Sequence, residues 1–265
     1  MSPRHPESGA AAEALARYYD LDLLDDPGDV ELYQALAQRT GGPILELGVG
    51  SGRIAIPLAE AGNAVTGVDD DAHMLARAAS AWSESRGRDH GGSLTLVDAD
   101  MTAIRLEQRF GLAILALNTL MLLDDGERQV AALRTLAAHL RPDGLAVVDV
   151  WLPSPEDLSL YDGRLLLEWL RVDPETADRV AKMASARYDT ATATVTLHQF
   201  FDAWPADGGA LERTARTDRL HLVGSSELVR MAAEAGLGVE MLAGDHQMSA
   251  FGPGVDRAIL LGRLV

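Results

Sequence analysis

The chain has 265 residues, no cysteine and a formal net charge of −17. This length accommodates one α/β domain with an insertion, and the lack of cysteine excludes disulfides and thiolate metal sites. The negative charge argues against a nucleic-acid substrate, because binding a polyanion requires lysine and arginine. No apolar run is long and uninterrupted enough for a signal peptide or a membrane span, so we expect a cytoplasmic protein.

The N-terminal region combines a predicted helix with an acidic segment. Residues 11–19 have helical character, and six acids from Asp20 to Glu31 then surround Pro27 and Gly28. Such a run predicts a solvated surface segment.

Three alternating glycines follow the first predicted strand. Residues 44–47 are mostly apolar, Gly48, Gly50 and Gly52 alternate after them, and apolar residues then return at helical spacing. Alternating glycines permit positive φ and let a ligand approach the main chain, so this strand-turn-helix predicts a small-ligand site. A dinucleotide fingerprint would need glycine where Arg53 stands, which argues against a nicotinamide oxidoreductase, and no P-loop lysine follows.

Further strands alternate with helices and end in polar residues. The predicted strand 64–68 ends at Asp69 and Asp70, and strand 93–97 leads into the segment Asp98-Ala99-Asp100-Met101. The apolar run 110–117 ends at Asn118, and another buried strand spans 145–150. Because the carboxyl ends of parallel strands share one edge of a sheet, we expect these residues to lie beside the glycine turn.

After Trp151 the pattern changes. The stretches 165–172, 180–188, 191–201 and 211–223 lack helical spacing and predict antiparallel strands laid beside the main sheet. A helix and two closing strands follow, and the loop between those strands contains His246. No two histidines have metal-ligand spacing, so we predict no metal site.

Several of these motifs resemble one enzyme family. The pattern Glu46-x-Gly48-x-Gly50-x-Gly52, the acid Asp69, the phrase Asn118-Thr119-Leu120, the turn 139–145 and the loop 244–251 resemble those of class I S-adenosylmethionine-dependent methyltransferases that act on small molecules. The resemblance covers about residues 19–265. It implies a Rossmann-like, doubly wound, mostly parallel sheet of seven strands, with an antiparallel insertion after the fifth strand.

The resemblance also implies a division of the chain. Residues 1–40 would form a helical lid, 41–152 the cofactor-binding core, 153–223 a substrate cover or dimer surface, and 224–265 the closing helix and strands. Tyr18, Tyr19 and Tyr33 are the candidate lid residues.

The same resemblance assigns site residues. Asp69 would bind the ribose hydroxyls and Met74 would reach the adenine, whose amino group would donate to Asp100 or Asp98. The proposed catalytic residues are His246 and Asn118. The implied cofactor-binding residues are Tyr19, Glu46, Gly48, Gly50, Gly52, Arg53, Asp69, Asp70, Met74, Asp100, Met101, Leu117 and Asn118.

The expected function is in-line transfer of the methyl group of S-adenosylmethionine to a nitrogen or oxygen of a small metabolite, which leaves S-adenosylhomocysteine. Nitrogen is favoured slightly, because of the phrase that begins at Asn118 and the acidic N-terminal run. A homodimer is left open. The alternative is a regulatory protein that binds S-adenosylmethionine or another nucleoside without transferring methyl.

Overall fold

A computed structural model describes residues 9–25, 27–85 and 91–265. The helices in chain order are α1 Gly9–Asp22, α2 Val30–Thr40, α3 Ala55–Glu60, α4 Ala72–Ser85, α5 Gly126–His139, α6 Pro155–Ser159 and α7 Ser225–Glu234. The strands are β1 Ile44–Leu47, β2 Ala64–Asp69, β3 Ser93–Asp98, β4 Phe110–Leu115, β5 Leu140–Trp151, β6 Asp162–Val172, β7 Arg179–Asp189, β8 Thr194–Trp204, β9 Glu212–His221, β10 Leu237–Ala243 and β11 Arg257–Leu264. A short 3-10 helix spans Thr119–Leu122.

The described residues form two compact units. The larger unit lies within Asp26–Leu152 and Val223–Val265, and the smaller within Met1–Asp25 and Pro153–Leu222. The predicted lid segment 1–40 is therefore divided, because α1 belongs to the smaller unit and α2 to the larger. Asp26, part of the acidic run, lies outside the described residues.

Within the described residues, the larger unit contains a seven-stranded sheet of order β10-β11-β5-β4-β1-β2-β3. Strands β3, β2, β1, β4 and β5 pair in parallel, whereas β11 pairs antiparallel with both β5 and β10. The central strands β1 and β4 are buried along their whole length, which suits a parallel sheet covered on both faces. The predicted Rossmann-like fold is confirmed.

The sheet order sets the position of the functional residues. The chain leaves β5, β4, β1, β2 and β3 at the same edge, because these strands run in one direction. The glycine turn follows β1, and Asp69, Asp98 and Asn118 stand at or just after the ends of β2, β3 and β4. Ligands bind at this carboxyl edge in open α/β sheets.

The smaller unit has a sheet of its own. Strands β6, β7, β8 and β9 pair in that order, all antiparallel, and form the predicted antiparallel insertion after the fifth strand. Helix α1 buries Leu15, Tyr18 and Leu21 in this unit, and the Tyr18 ring stacks on Phe201 at 5.0 Å between centroids. The ammonium group of the buried Lys182 is held by Asp22 and Glu168. These contacts fix α1 to its sheet.

Candidate functional site

The glycine turn has no side chain at three positions, each of which adopts a left-handed conformation. Gly48, Gly50 and Gly52 have φ of 74°, 54° and 88°. A Cβ atom on Gly48 would lie 2.3 Å from Cγ2 of Thr119 and 3.4 Å from Cε of Met101. Side chains are therefore excluded at Gly48 by both strain and space, and Met101 is placed at the turn.

Asp69 is joined directly to this turn. Its Oδ2 accepts from the N–H of Gly50 at 2.9 Å, and its Oδ1 accepts from the N–H of Asp71 at 3.0 Å. Burial raises the pKa of Asp69, and these two N–H donors oppose that rise. Asp71 caps α4 by accepting from the N–H of His73, and Asp70 is exposed. The predicted meeting of the glycine turn and the acid of β2 at one edge is present.

The residues after β3 lie further along the edge. Asp98 is exposed and pairs in register with Asp69. Asp100 accepts from the N–H of Thr102 at 2.8 Å and forms an ion pair with Arg128 at 3.1 Å. Burial raises the pKa of Asp100, but these partners lower it below its ordinary value. Met74 is buried on α4.

The end of β4 is strained at two consecutive residues. Leu117 and Asn118 have φ of 42° and 67° although neither is glycine, so the surrounding structure must compensate. The side-chain oxygen of Asn118 accepts from the N–H of Trp151 at 2.6 Å and from Arg257 at 3.4 Å. Asn118 therefore ties the end of β4 to the ends of β5 and β11.

Two ion pairs lie beneath this edge. Asp149 is fully buried in β5, and its oxygens accept from Nε of Arg257 at 2.9 Å and from Nε2 of His246 at 3.0 Å. Asp29, also fully buried, accepts from both terminal nitrogens of Arg53 at 2.5 and 2.8 Å. Asp149 raises the pKa of His246 through its hydrogen bond. The prediction of a solvated segment is wrong for Asp29, because its bidentate pairing with Arg53 compensates its burial.

Glu46 and Tyr33 complete the cluster with unused hydrogen-bonding capacity. Both are buried, and among the described residues neither Oε2 of Glu46 nor the hydroxyl of Tyr33 has a hydrogen-bond partner. The pKa of Glu46 is raised to about 8, mainly by burial. The positive charge of Arg53 opposes this rise, and the negative charge of Asp29 adds to it. Tyr33 packs in the core of the larger unit, a position that does not suit the lid role predicted for it.

The same cluster has the elements of a cation site, but its charges are already paired. Ligand atoms of Asp29, Asp149 and His246 lie within 4.8 Å of one another. Each carboxylate, however, is held by an arginine guanidinium, Arg53 or Arg257. A metal ion would have to displace these strong charge-assisted bonds, so the arrangement is that of an ion-pair network.

Some assigned residues remain predictions. Tyr19 belongs to α1 in the smaller unit, and its role toward the cofactor is untested. The guanidinium of Arg53 is engaged by Asp29, although its predicted role is cofactor binding. Sequence reasoning missed Asp149 and Arg257. An acid within an otherwise apolar strand was the available signal, because a buried carboxylate requires a partner.

The glycine turn and Asp69 lie together at the carboxyl edge of the sheet, where open α/β sheets bind their ligands. Residues 44–144 match the family model described as a methyltransferase domain. This match agrees with the methyltransferase resemblance that the motifs carry.

Individual relatives agree with this class. The chain is 29% identical over 147 residues to the cypemycin N-terminal methyltransferase of a Streptomyces species. That alignment spans 54% of this chain and 57% of the relative. The structure resembles the CcbJ methyltransferase of Streptomyces caelestis, with a TM-score of 0.75 and 25% identity over 90% of this chain and 96% of that one. It also resembles the sugar N-methyltransferase KedS8 of a Streptoalloteichus species, with a TM-score of 0.70 and 20% identity over 93% and 91% of the two chains.

The residues present fit S-adenosylmethionine on two observations. Gly48 lies against Thr119 and Met101 with no room for a Cβ atom, so this part of the turn presents main chain rather than a side chain. The unpartnered Oε2 of the buried Glu46 is an acceptor two residues before Gly48.

No helix among the described residues is long and apolar enough to cross a membrane.

Proposed function

We propose that the protein transfers the methyl group of S-adenosylmethionine to a nitrogen of a small metabolite, with oxygen as the second choice. The observation that carries the proposal is the hydrogen bond between Gly50 and Asp69, which joins the glycine turn to a carboxylate at the same sheet edge. Names of the relatives favour nitrogen, since they include a sugar N-methyltransferase and an N-terminal methyltransferase. None of the relatives named supports the regulatory alternative.

Each residue of the site has a proposed role in holding the cofactor. Asp69 has free lone pairs for the ribose hydroxyls, beyond those used by Gly50 and Asp71. Asp100 with Met101 would hold the adenine, and Glu46 would accept from the ammonium group of the amino-acid part. When bound, the cofactor supplies a methyl group already activated by its sulfonium. The chain then has only to orient the acceptor and exclude water, and such positioning supplies about 7 to 11 kcal/mol.

His246 is the residue proposed to take a proton from the amine that accepts the methyl group. Asp149 is ion-paired with Arg257 and can only accept, so the hydrogen of the shared bond lies on Nε2 of His246. The lone pair of the neutral imidazole is then on Nδ1. An acceptor that arrives as an ammonium ion must lose a proton before its nitrogen lone pair can attack, and a histidine positioned by a carboxylate is suited to take that proton.

The test begins with the cofactor. At a concentration 100 times its Kd, S-adenosylhomocysteine should stabilise the purified protein by about 2.7 kcal/mol, measured as a thermal shift. Incubation with S-adenosylmethionine and a panel of small amines and alcohols should then yield a product that is heavier by one CH2 group in mass spectrometry. Absence of any thermal shift with either cofactor form would refute the assignment. Tight binding without a methylated product from any acceptor would favour the regulatory alternative.

We also propose a homodimer formed through β6, the first strand of the smaller unit's sheet. Support comes from the exposure of its apolar side chains: Leu165, Leu166, Leu167, Leu170 and Val172 are each 54–66% exposed. Long apolar edge strands pair with other chains unless charges block them. Sedimentation velocity should give a dimer for the native protein and a monomer for Leu166→Lys with Leu167→Lys. A native monomer at micromolar concentration would refute the proposal.

A further inference from the structure

Glu46 is an acid in a position where an acid is costly. It is the third residue of β1, two residues before Gly48, and it is 3% exposed. The backbone N–H of Ala55 donates to its carboxyl group, whereas Oε2 has no partner among the described residues. A buried polar atom without a partner is expensive, and such atoms in native structures call for an explanation.

The charges around Glu46 leave it poorly compensated. Arg53 is the nearby cation, but its two terminal nitrogens are bound to the oxygens of Asp29. Asp29 and Asp69 both disfavour a further negative charge on Glu46. A negative charge on Glu46 would raise the pKa of Tyr33 in α2, whose hydroxyl has no hydrogen-bond partner among the described residues. Burial therefore dominates and raises the pKa of Glu46 to about 8, so the carboxyl group is mainly protonated at neutral pH.

The second ion pair of the cluster does not change this balance. A carboxylate oxygen of Asp149, a carboxylate oxygen of Asp29 and a ring nitrogen of His246 all lie within 4.8 Å of one another. Asp149 is itself paired with Arg257 and His246. Within the described ranges, the two arginines of the cluster are bound to Asp29 and Asp149, so a cation of the ligand is the remaining candidate partner for an ionised Glu46.

We infer that binding of the amino-acid part of the cofactor releases a proton from Glu46, because the ligand's ammonium group takes the proton's place at Oε2. The inference rests on the proposed function. The ammonium N–H donates to the carboxylate, and the displaced proton passes to the solvent, so charge at the site is conserved. Glu46 thereby recognises the amino-acid part through a change of protonation as well as a hydrogen bond.

The size of the effect follows from the charges. An opposite charge within hydrogen-bonding range lowers a carboxyl pKa by about 1 to 3 units. Starting from about 8, this brings the pKa of the liganded Glu46 to about 5 to 7. At pH 7 the free carboxyl is about nine-tenths protonated and the liganded one at most about half, so binding should release about 0.4 to 0.9 proton. Affinity should accordingly rise from pH 6 to pH 8.

Calorimetry measures the released proton directly. S-adenosylhomocysteine is titrated into the full chain at pH 7 in phosphate and in Tris, two buffers with very different ionisation enthalpies. The apparent binding enthalpies should differ by about 0.4 to 0.9 times the difference between the buffers. 5′-Methylthioadenosine keeps the nucleoside but lacks the amino-acid part, so it should bind with the same enthalpy in both buffers.

Two variants assign the proton. Glu46→Gln should bind S-adenosylhomocysteine more weakly and without proton release, whereas Glu31→Gln, at an exposed acid of α2, should behave as the native protein. Should Glu46→Gln fail to fold, infrared difference spectroscopy of the native protein gives the same information. The C=O band of a buried protonated carboxyl should disappear when S-adenosylhomocysteine binds.

The outcomes separate the two levels of the argument. Binding of S-adenosylhomocysteine with equal enthalpy in both buffers would overturn the proton release and leave the cofactor assignment intact. Equal proton release by Glu46→Gln would overturn the role of Glu46. If neither ligand bound, both the proposed function and this inference would fall.

Discussion

The buried Glu46 should make the stability of the free protein depend on pH. In the unfolded chain its carboxyl titrates near the ordinary value of 4.5, and in the folded protein near 8. Between these values the folded state binds more protons than the unfolded state, so stability falls as pH rises. At 1.36 kcal/mol per pH unit, the fall attributable to Glu46 from pH 5 to pH 8 is about 3.5 kcal/mol. Glutamine cannot ionise and removes this dependence.

Urea denaturation without cofactor measures the effect. The free energy of unfolding of the native protein, minus that of Glu46→Gln, should become more negative by about 3.5 kcal/mol from pH 5 to pH 8. Other titrating groups are common to both proteins and largely cancel in this difference. Glu31→Gln at the exposed acid of α2 should show no such trend. A difference for Glu46→Gln that stays constant across this range would refute the argument that the buried acid is protonated.

Other substitutions test the rest of the site. Gly48→Ala should abolish binding of S-adenosylhomocysteine and destabilise the fold by more than Gly236→Ala. The two sites have positive φ, of 74° and 85°, which strains alanine at both, but a Cβ atom meets neighbouring atoms at Gly48 and open space at Gly236. Asp69→Ala should weaken that binding by about 1.5 to 3 kcal/mol for each hydrogen bond lost, measured by calorimetry; unchanged affinity would remove Asp69 from the ribose. Asp149→Asn should lower the pKa of His246 in an NMR titration, since the hydrogen bond that His246 donates to the Asp149 carboxylate is the main cause of its raised pKa. An unchanged titration would contradict that pairing.

Local sequence patterns sufficed for the architecture of the larger unit. Apolar runs such as 110–115 predict buried parallel strands, and acids or amides directly after them predict an edge rich in polar groups. The glycine spacing predicts the turn, because left-handed φ and close approach both require glycine. The end of β4 was predicted less well. The apolar run continues to Leu117, but the strand ends at Leu115, and Leu117 and Asn118 adopt left-handed φ.

The separate sheet of the smaller unit could not be predicted in the same way. Alternation within residues 153–222 indicates strands, but period alone does not state which sheet a strand joins. Helix α1 illustrates this limit, since its apolar face packs with Phe201, far away in sequence. Membership of a sheet is decided by such long-range contacts, which a local pattern does not contain.

Partners of the buried charges were the main omission, and the reason is physical. Asp29 lies in a run of acids whose composition predicts a solvated loop. Asp149 lies in an otherwise apolar strand. What makes their burial tolerable is one arginine each, 24 residues away for Asp29 and 108 for Asp149. A family resemblance indicates which type of residue stands at a position, but it does not indicate which other side chain that residue binds. Arg53 stands where the motif favours a cofactor ligand, yet its guanidinium is bound to Asp29. Among the described residues, Oε2 of Glu46 is a buried acceptor without a partner, two residues before the turn, and for that reason the amino-acid end of the cofactor is expected to bind there.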